Sequence, residues 1–286
     1  MKKLNHKQQK TLRRTYAAAV TIVLANLAIA ASLYAQTVNY TGFLQFSTGK
    51  YIFAQRTNSL YFYNGLIINA GQFSVSASIP LIVQNSPWIS TSGAGMIPSG
   101  GTQHSQVGKA TRRNKITLVD STNYEKIGLG DPLISGTFNL LRESGVIPGL
   151  DFTLGIKVPM ASANQGFGTG EWDYGFGGSL SKSLGGTFIF VDVSYWILGD
   201  LPDLDFEDPV LYSLAIGRTL AGGEWGVLAS ISGNSRTMER VDPPMQVTLA
   251  GNYQVSADIH LMGSVAVGLT ETSPDFVVSL GWRTGI

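Results

Sequence analysis

Three charged residues, Asp131, Lys157 and Asp173, lie close to the ends of three successive stretches in which apolar and polar residues alternate. The alternation turns each of them to the same side as the polar residues of its stretch. If the stretches are neighbouring antiparallel strands, the three side chains lie at similar height and Lys157 lies between two carboxylates. This arrangement has two interpretations: an interior ion pair that fills the gap between strands, or a charged constriction that selects solutes.

A fourth carboxylate, Asp192, lies in the middle of residues 187–198. Ile189, Val191 and Val193 occupy one parity of this stretch, and Asp192 occupies the other, which predicts a strand with one apolar face. In a lipid-embedded barrel the apolar parity faces lipid and the polar parity faces the lumen. The candidate lumen or constriction residues are therefore Asp131, Lys157, Asp173 and Asp192.

A lipid hydrolase on a barrel, such as a phospholipase or a lipid A hydrolase, would need a histidine beside a serine or a carboxylate. After the first 35 residues the chain has two histidines, His104 and His260. His260 and Ser264 share a strand face, but their Cβ atoms would lie about 13 Å apart, too far for an activating hydrogen bond. Residues 166–170 match a dinucleotide fingerprint only superficially, because no helix follows them. We predict no catalytic residue and no cofactor.

A thiolate metal site and disulfides are excluded because the chain has no cysteine. Five acidic residues crowd one segment: Asp200, Asp203, Asp205, Glu207 and Asp208. The segment lacks the glycine and the distal glutamate of a calcium-binding EF-hand loop, so we predict a solvated loop and no metal site. Two alternatives remain open for this loop: divalent bridging to lipopolysaccharide phosphates, and ion pairs with Lys109, Arg112 and Arg113.

The first residues are typical of a secretory signal peptide, residues 1–35. Six basic residues precede an uncharged run, Tyr16 to Ala31, that is short for a membrane-spanning helix and ends in small residues. We place cleavage after Ala35, with the region 28–32 as the alternative. The mature chain then keeps 14 basic and 19 acidic residues, which leaves no basic footprint for nucleic acid.

Residues 36–286 have the pattern of an all-β protein, an antiparallel transmembrane β-barrel of about 12 strands, with 10 to 14 as the alternatives. The first strand is placed at residues 41–54, the second at 59–70 and the third at 72–83; nine more follow from Gly128. Long connections and short glycine turns then fall on opposite ends, as outer-membrane barrels require. Residues 85–127 lack any periodicity and are predicted to be a long extracellular loop.

The end of the chain also fits a barrel. Phe276, Val278, Leu280, Trp282 and Ile286 share one parity, which we assign to lipid. Barrel strands of this kind usually end in an aromatic residue that the assembly machinery recognises, and Ile286 departs from this rule. The predicted girdle residues at the membrane interfaces are Tyr195, Trp196, Trp225, Tyr253 and Trp282.

One block of sequence resembles a known family. Its motifs are Gly128-Leu-Gly-Asp131, Lys157-Val-Pro159, Gly166-Phe-Gly-Thr-Gly170, Asp173-Tyr-Gly175 and Leu180-Ser-Lys182. Their order and spacing resemble the outer-membrane transporter family of the MetA pathway of phenol degradation, over residues 128–199. Members usually show Pro-Thr-Gly where this chain has Pro159-Met160-Ala161. The resemblance implies a transmembrane barrel that passes small, often aromatic or hydrophobic, compounds.

The sequence therefore predicts a channel or transporter in the bacterial outer membrane. Its expected partners are outer-membrane lipid, lipopolysaccharide, the barrel assembly machinery and a small-molecule solute. Two alternatives stay open. One is a lipid hydrolase, either a phospholipase or a lipid A modifying enzyme, on a 12-stranded barrel, and the other is a plugged barrel with a structural or adhesive role.

Overall fold

The computed structural model describes residues 37–110 and 126–286, and nearly all of them belong to strands or to the loops that join strands. The strands are β1 Thr37–Gly49, β2 Thr57–Ala70, β3 Phe73–Gln84, β4 Ile89–Ser92, β5 Gly95–Pro98, β6 Lys126–Leu129, β7 Leu133–Leu141, β8 Gly149–Lys157, β9 Asp173–Leu184, β10 Thr187–Ile197, β11 Val210–Leu220, β12 Trp225–Asn234, β13 Met245–Gln254, β14 Ile259–Gly268 and β15 Phe276–Gly285. The one α-helix of the described residues is α1, His104–Ala110, and short 3₁₀ turns cover 101–103, 163–165 and 221–223.

The sheet is a closed antiparallel barrel of 12 strands. Each strand pairs with its neighbour in sequence, and closure comes from β1, which pairs with both β2 and β15. The segments β6 and β7 form one interrupted barrel strand, since both pair with β3. The interruption falls at Gly130, Asp131 and Pro132. Strands β4 and β5 form a separate hairpin outside the barrel sheet.

The distribution of long and short connections follows the expected alternation. One end of the barrel, here called the periplasmic end, has the connections 71–72, 142–148, 185–186, 221–224 and 255–258. The other, the outer end, has 50–56, 85–125, 158–172, 198–209, 235–244 and 269–275. Gly71, Gly185 and Gly186 have positive φ angles, which the tight periplasmic turns require.

Two sequence predictions of element bounds are wrong. The first strand covers residues 37–49 and not 41–54, because Tyr51 and Phe53 leave the alternation and pack in the loops of the outer end. A turn closed by the Phe53 N–H and the Lys50 carbonyl, 2.9 Å apart, makes this change of direction. The long connection 85–127 also contains regular structure, the β4–β5 hairpin and α1.

The two faces of the barrel wall have the predicted chemistry. The outward parity carries exposed apolar side chains, such as Leu214, Leu249 and Leu280, in a row that suits contact with lipid. Val191 and Val193 belong to this row. The inward parity carries small and polar residues, and among them Ser213, Thr248 and Ser279 line a cavity in the lumen. In residues 37–110 and 126–286, no helix has the length and apolar composition to span a membrane.

Candidate functional site in the barrel lumen

The structure places Lys157 between two carboxylates at the outer end of the lumen. Lys157 ends β8, directly opposite Asp173 at the start of β9, and Asp131 lies in the interruption of the preceding strand. The Lys157 Nζ lies 2.8 Å from the Asp131 Oδ2 and 3.4 Å from the Asp173 Oδ2. All three side chains are buried, with at most 2% exposed. We call these three residues the buried triad.

Every hydrogen-bonding site of the lysine is used. Its Nζ donates to the Asp131 carboxylate, to the Thr169 hydroxyl and to the Glu171 carbonyl, each at 2.8 Å. An ammonium group has three donors, so Lys157 retains none for a solute. The lysine therefore ties the wall of the barrel to the loop 158–172.

The two carboxylates of the buried triad also bind backbone amides of the outer loops. Asp131 Oδ1 accepts from the N–H of Met160 at 2.9 Å and of Ala161 at 2.7 Å. Asp173 accepts from Gly199 at 2.9 Å and from Gly93 at 2.8 Å. The triad thus connects three loops at one point, and this full satisfaction is typical of a structural network.

Asp192 lies apart from the triad, in the middle of β10 on the lumen side. The Ser179 hydroxyl donates to its Oδ1 and the Ser213 hydroxyl donates to its Oδ2, the latter at 2.6 Å. Both donors are neutral, and in the described residues no basic side chain lies within ion-pair distance of this carboxylate. Asp192 therefore brings a formal charge into the lumen wall that Lys157 does not balance.

The hairpin β4–β5 enters the lumen from the outer end. Its tip, residues 92–96, lines the same cavity as Asp131, Lys157 and Asp192. Besides the Gly93 amide bond to Asp173, the Thr91 hydroxyl donates to the Phe167 carbonyl at 2.8 Å. Gly93 lies so close to the ring of Trp196 that a Cβ at this position has no room.

The base of the hairpin is anchored in an apolar core above the lumen, the outer core. Four members come from the hairpin and the segments that flank it, Trp88, Ile89, Ile97 and Val107, and eight come from other outer loops. Those eight are Tyr51, Phe53, Leu198, Leu201, Leu204, Phe206, Met238 and Val241. Burial raises the pKa of Tyr51, and its phenol donates to the Met96 sulfur at 3.6 Å. This core covers the outer mouth with side chains from four loops.

Below the outer core, the described residues line two cavities in the lumen. The upper one has a volume of about 720 Å³ and lies between the hairpin tip and the polar wall around Asp192. The lower one has a volume of about 500 Å³ and lies among Phe43, Phe188, Phe190, Leu228 and Met262. Phe43 and Ser264 line both cavities, so the two adjoin at these residues.

The two histidines considered for chemistry lie apart from each other in the described part of the chain. The His104 Nδ1 lies 3.0 Å from the Gly101 carbonyl, and its Nε2 lies 4.0 Å from the Asp203 carboxylate, in the outer loops. His260 lies opposite Gln254 and Arg283 at the periplasmic end. In the acidic loop, Asp200 and Asp208 accept backbone N–H bonds within their own segment. Arg112 and Arg113 lie outside the described residues, as does the predicted signal peptide.

One predicted girdle residue is placed wrongly, and the outer core was not predicted. Trp196 faces the lumen, where its ring packs on Gly93, Gly155 and Gly175, because it shares the parity of Asp192. Trp225 and Tyr253 pack together on the outward parity with their ring centroids 4.5 Å apart. The sequence signal for the hairpin is the pair of short apolar runs on either side of Gly93-Ala94-Gly95.

Comparison with known proteins supports the fold. No family model matches the chain, and no curated protein sequence matches it. Among solved structures, the chain is similar to an outer membrane channel from Pseudomonas putida F1, with a TM-score of 0.63 and 12% identity over 88% of this chain and 98% of that one. A weaker similarity is to the translocator domain of the autotransporter NalP from Neisseria meningitidis, with a TM-score of 0.46 and 8% identity over 95% and 97%.

At such low identity the likeness shows the fold alone, which is that of an outer-membrane β-barrel. The narrower resemblance to the MetA-pathway family stays a prediction.

Proposed function

We propose that this chain is an outer-membrane channel that passes small solutes with an apolar or aromatic part. The observation that carries this proposal is the pair of adjoining cavities, which together extend from the hairpin tip toward the periplasmic end of the lumen. A barrel of 12 strands whose interior were filled by side chains alone would leave no such volume.

The chemistry of the lower cavity supports the kind of solute. Apolar side chains from four strands, Phe43, Phe190, Leu228 and Met262, meet there at lumen positions that polar residues occupy elsewhere in this barrel. Apolar residues exposed in a water-filled lumen cost free energy unless a ligand covers them, so their presence favours an apolar ligand. The channel from Pseudomonas putida F1 with the same fold agrees with transport as the general role.

The outer core and the hairpin favour one competing function, a plugged barrel with a structural role. The described part of the loop 85–125 packs across the mouth and is tied down through Gly93, Thr91 and Met96. On the channel proposal this closure is a gate whose tip moves while its base stays in the outer core. The base holds the large buried side chains Trp88 and Ile97, whereas the tip holds Gly93, Ala94 and Gly95.

Uptake by cells tests the proposal. The initial rate of uptake of radiolabelled phenol is measured in a porin-deficient host with and without the protein, since the lipopolysaccharide layer slows apolar compounds. We expect a higher rate with the protein. Phe188→Ala, which removes part of the apolar wall, should lower the rate. The matched control Phe276→Ala, on the outward face, should not. Equal rates with and without the protein would leave the plugged barrel as the better account.

Export and assembly complete the proposed role. Residues 1–35 serve as the signal peptide, and β15 with Ile286 is the segment that the assembly machinery binds. Ile286 lies exposed at the end of the outward parity, and its N–H donates to the Val38 carbonyl at 3.0 Å, which joins the last residue to the first strand. The acidic residues of loop 198–209 are the proposed contact with lipopolysaccharide, through divalent cations.

A further inference from the structure

We infer that the lumen binds an amphipathic organic cation, with its ammonium group on Asp192 and its apolar part against Phe190 and Phe188. This inference rests on the proposed function, because it names the class of solute that the channel takes. It starts from the position of a single carboxylate between a polar cavity and an apolar one.

The charge balance of the lumen distinguishes Asp192 from the other charged residues. Three charged residues line the upper cavity, Asp131, Lys157 and Asp192. The first two form an ion pair of 2.8 Å, and the lysine has no free donor. Asp192 is therefore the charge of this cavity that a solute can neutralise. A carboxylate accepts about four hydrogen bonds, and Ser179 and Ser213 supply two.

The carboxylate of Asp192 is aligned with the aromatic wall. Asp192, Phe190 and Phe188 occupy successive lumen positions of β10, so their Cβ atoms follow one another at about 6.6 Å along the strand. The two rings stack with their centroids 6.4 Å apart. A ligand whose nitrogen lies at Asp192 thus has its first few carbon atoms at Phe190, and Phe faces also attract cations.

Apart from Lys157, the described residues that line the two cavities place no basic side chain in the lumen. Arg218 borders the lower cavity, but it shares the outward parity of Leu214 and Ile216 and is exposed. His260 and Arg283 lie at the periplasmic end, opposite each other on β14 and β15. The other side chains that line the upper cavity are neutral. Among these lining residues, an organic anion would therefore meet no ammonium or guanidinium group that points into the lumen beside the aromatic wall.

The test compares benzylammonium, which has a ring and a positive charge, with benzoate, which has only the ring, and methylammonium, which has only the positive charge. Binding of benzylammonium, benzoate and methylammonium to the full mature protein in detergent is measured by calorimetry. We expect benzylammonium to bind at least tenfold more tightly than either of the others. Asp192→Asn should weaken benzylammonium binding by roughly tenfold or more, because a hydrogen-bonded charge pair is lost. Asp192→Glu should retain most of the affinity.

Two variants control for general effects. Asp205→Asn removes an exposed carboxylate of the outer loops and should leave the binding unchanged. Phe190→Ala should weaken benzylammonium binding and leave methylammonium binding as it is. If Asp192→Asn lowers the midpoint of unfolding while the preference for benzylammonium over benzoate persists, Asp192 is a structural residue and the inference is wrong.

The inference and the proposed function fail in different ways. No binding of benzylammonium by the wild-type protein, or equal binding of benzoate, overturns the inference whatever the protein transports. Selective binding of benzylammonium in a protein that does not raise phenol uptake supports the cation site and contradicts the channel. Transport of phenol without any preference among the three ligands supports the channel and contradicts the cation site.

Discussion

Replacing Lys157 with methionine tests what the buried triad does. Met fills a similar volume but removes the charge and three hydrogen bonds of 2.8 Å, to Asp131, Thr169 and the Glu171 carbonyl. Two carboxylates remain buried without their counter-ion. Losing one partner of a buried ion pair costs about 3–5 kcal/mol. Each carboxylate keeps two backbone amide donors, so we expect the lower end of this range.

The assay is urea unfolding from phospholipid vesicles, followed by tryptophan fluorescence. A matched control is Lys182→Met, which removes an ion pair of the same 2.8 Å length at the partly exposed periplasmic turn. Such pairs contribute little to stability, so this control should unfold close to the wild type. Asp131→Asn in the Lys157→Met background should recover part of the loss, since it removes one uncompensated charge. Equal unfolding of Lys157→Met and Lys182→Met would refute the structural role of the triad.

Three further predictions follow from the described geometry. Val191→Arg on the outward parity should destabilise the folded barrel by about 2–4 kcal/mol in the same urea titration. Ser194→Arg in the lumen should have a mild effect. Equal losses of stability in the two variants would contradict the assignment of the two faces. The chain has no cysteine, so a single introduced cysteine can be labelled specifically. Asp205→Cys in an outer loop should react with an impermeant maleimide on intact cells, whereas Val146→Cys at the periplasmic end should react only after permeabilisation. The reverse pattern would mean that the barrel is inverted. The hydrogen bond from Lys182 at 2.8 Å, with help from the Ser183 amide, lowers the pKa of Glu143. Its contribution to stability is small, as for other exposed pairs, and should be present above the ordinary carboxyl pKa and disappear as the pH falls through the lowered value. A small loss of stability in Glu143→Gln that is the same at pH 7 and pH 3 would contradict this.

The barrel could be predicted because its strands must cross a membrane. Residues such as Ile189, Val191 and Val193 keep a strict period of two over a long stretch, and only one parity tolerates lipid. The register of the triad followed from the same rule, since Lys157 ends β8, Asp173 begins β9, and the two residues lie opposite each other in the sheet. The interruption at Gly130 and Pro132 did not disturb this alignment.

The loops could not be predicted in the same way. The strands β4 and β5 have four residues each, too few to show a period, and their burial depends on residues far away in the sequence. Trp88 packs on Phe53, with ring centroids 5.5 Å apart, and both belong to a core with Phe206 and Met238. Which loops meet above a barrel is set by these contacts and not by local alternation.

The sequence pattern also left the neighbours of the candidate residues undetermined. The Gly93 and Gly199 amides that bind Asp173 come from two loops. The sequence does not indicate which side chain the backbone amide of a loop glycine will bind. The position of Trp196 illustrates the same limit. Its parity with Asp192 indicates the lumen, while its aromatic character near a strand end suggests the membrane interface. The space above Gly155 and Gly175 decides between them.

Single-channel recording in planar bilayers tests most directly whether the lumen is a gated path. The wild-type protein is compared with a variant in which Thr91 and the tip of the hairpin, residues 92–96, are replaced by two glycines, so that the outer core keeps Trp88 and Val107. We expect rare or small openings for the wild type and a stable, larger conductance for the shortened variant. The conductance of the shortened variant should prefer cations, and Asp192→Asn should reduce this preference. If neither protein conducts, although both resist unfolding in detergent and are therefore folded, there is no path through this barrel.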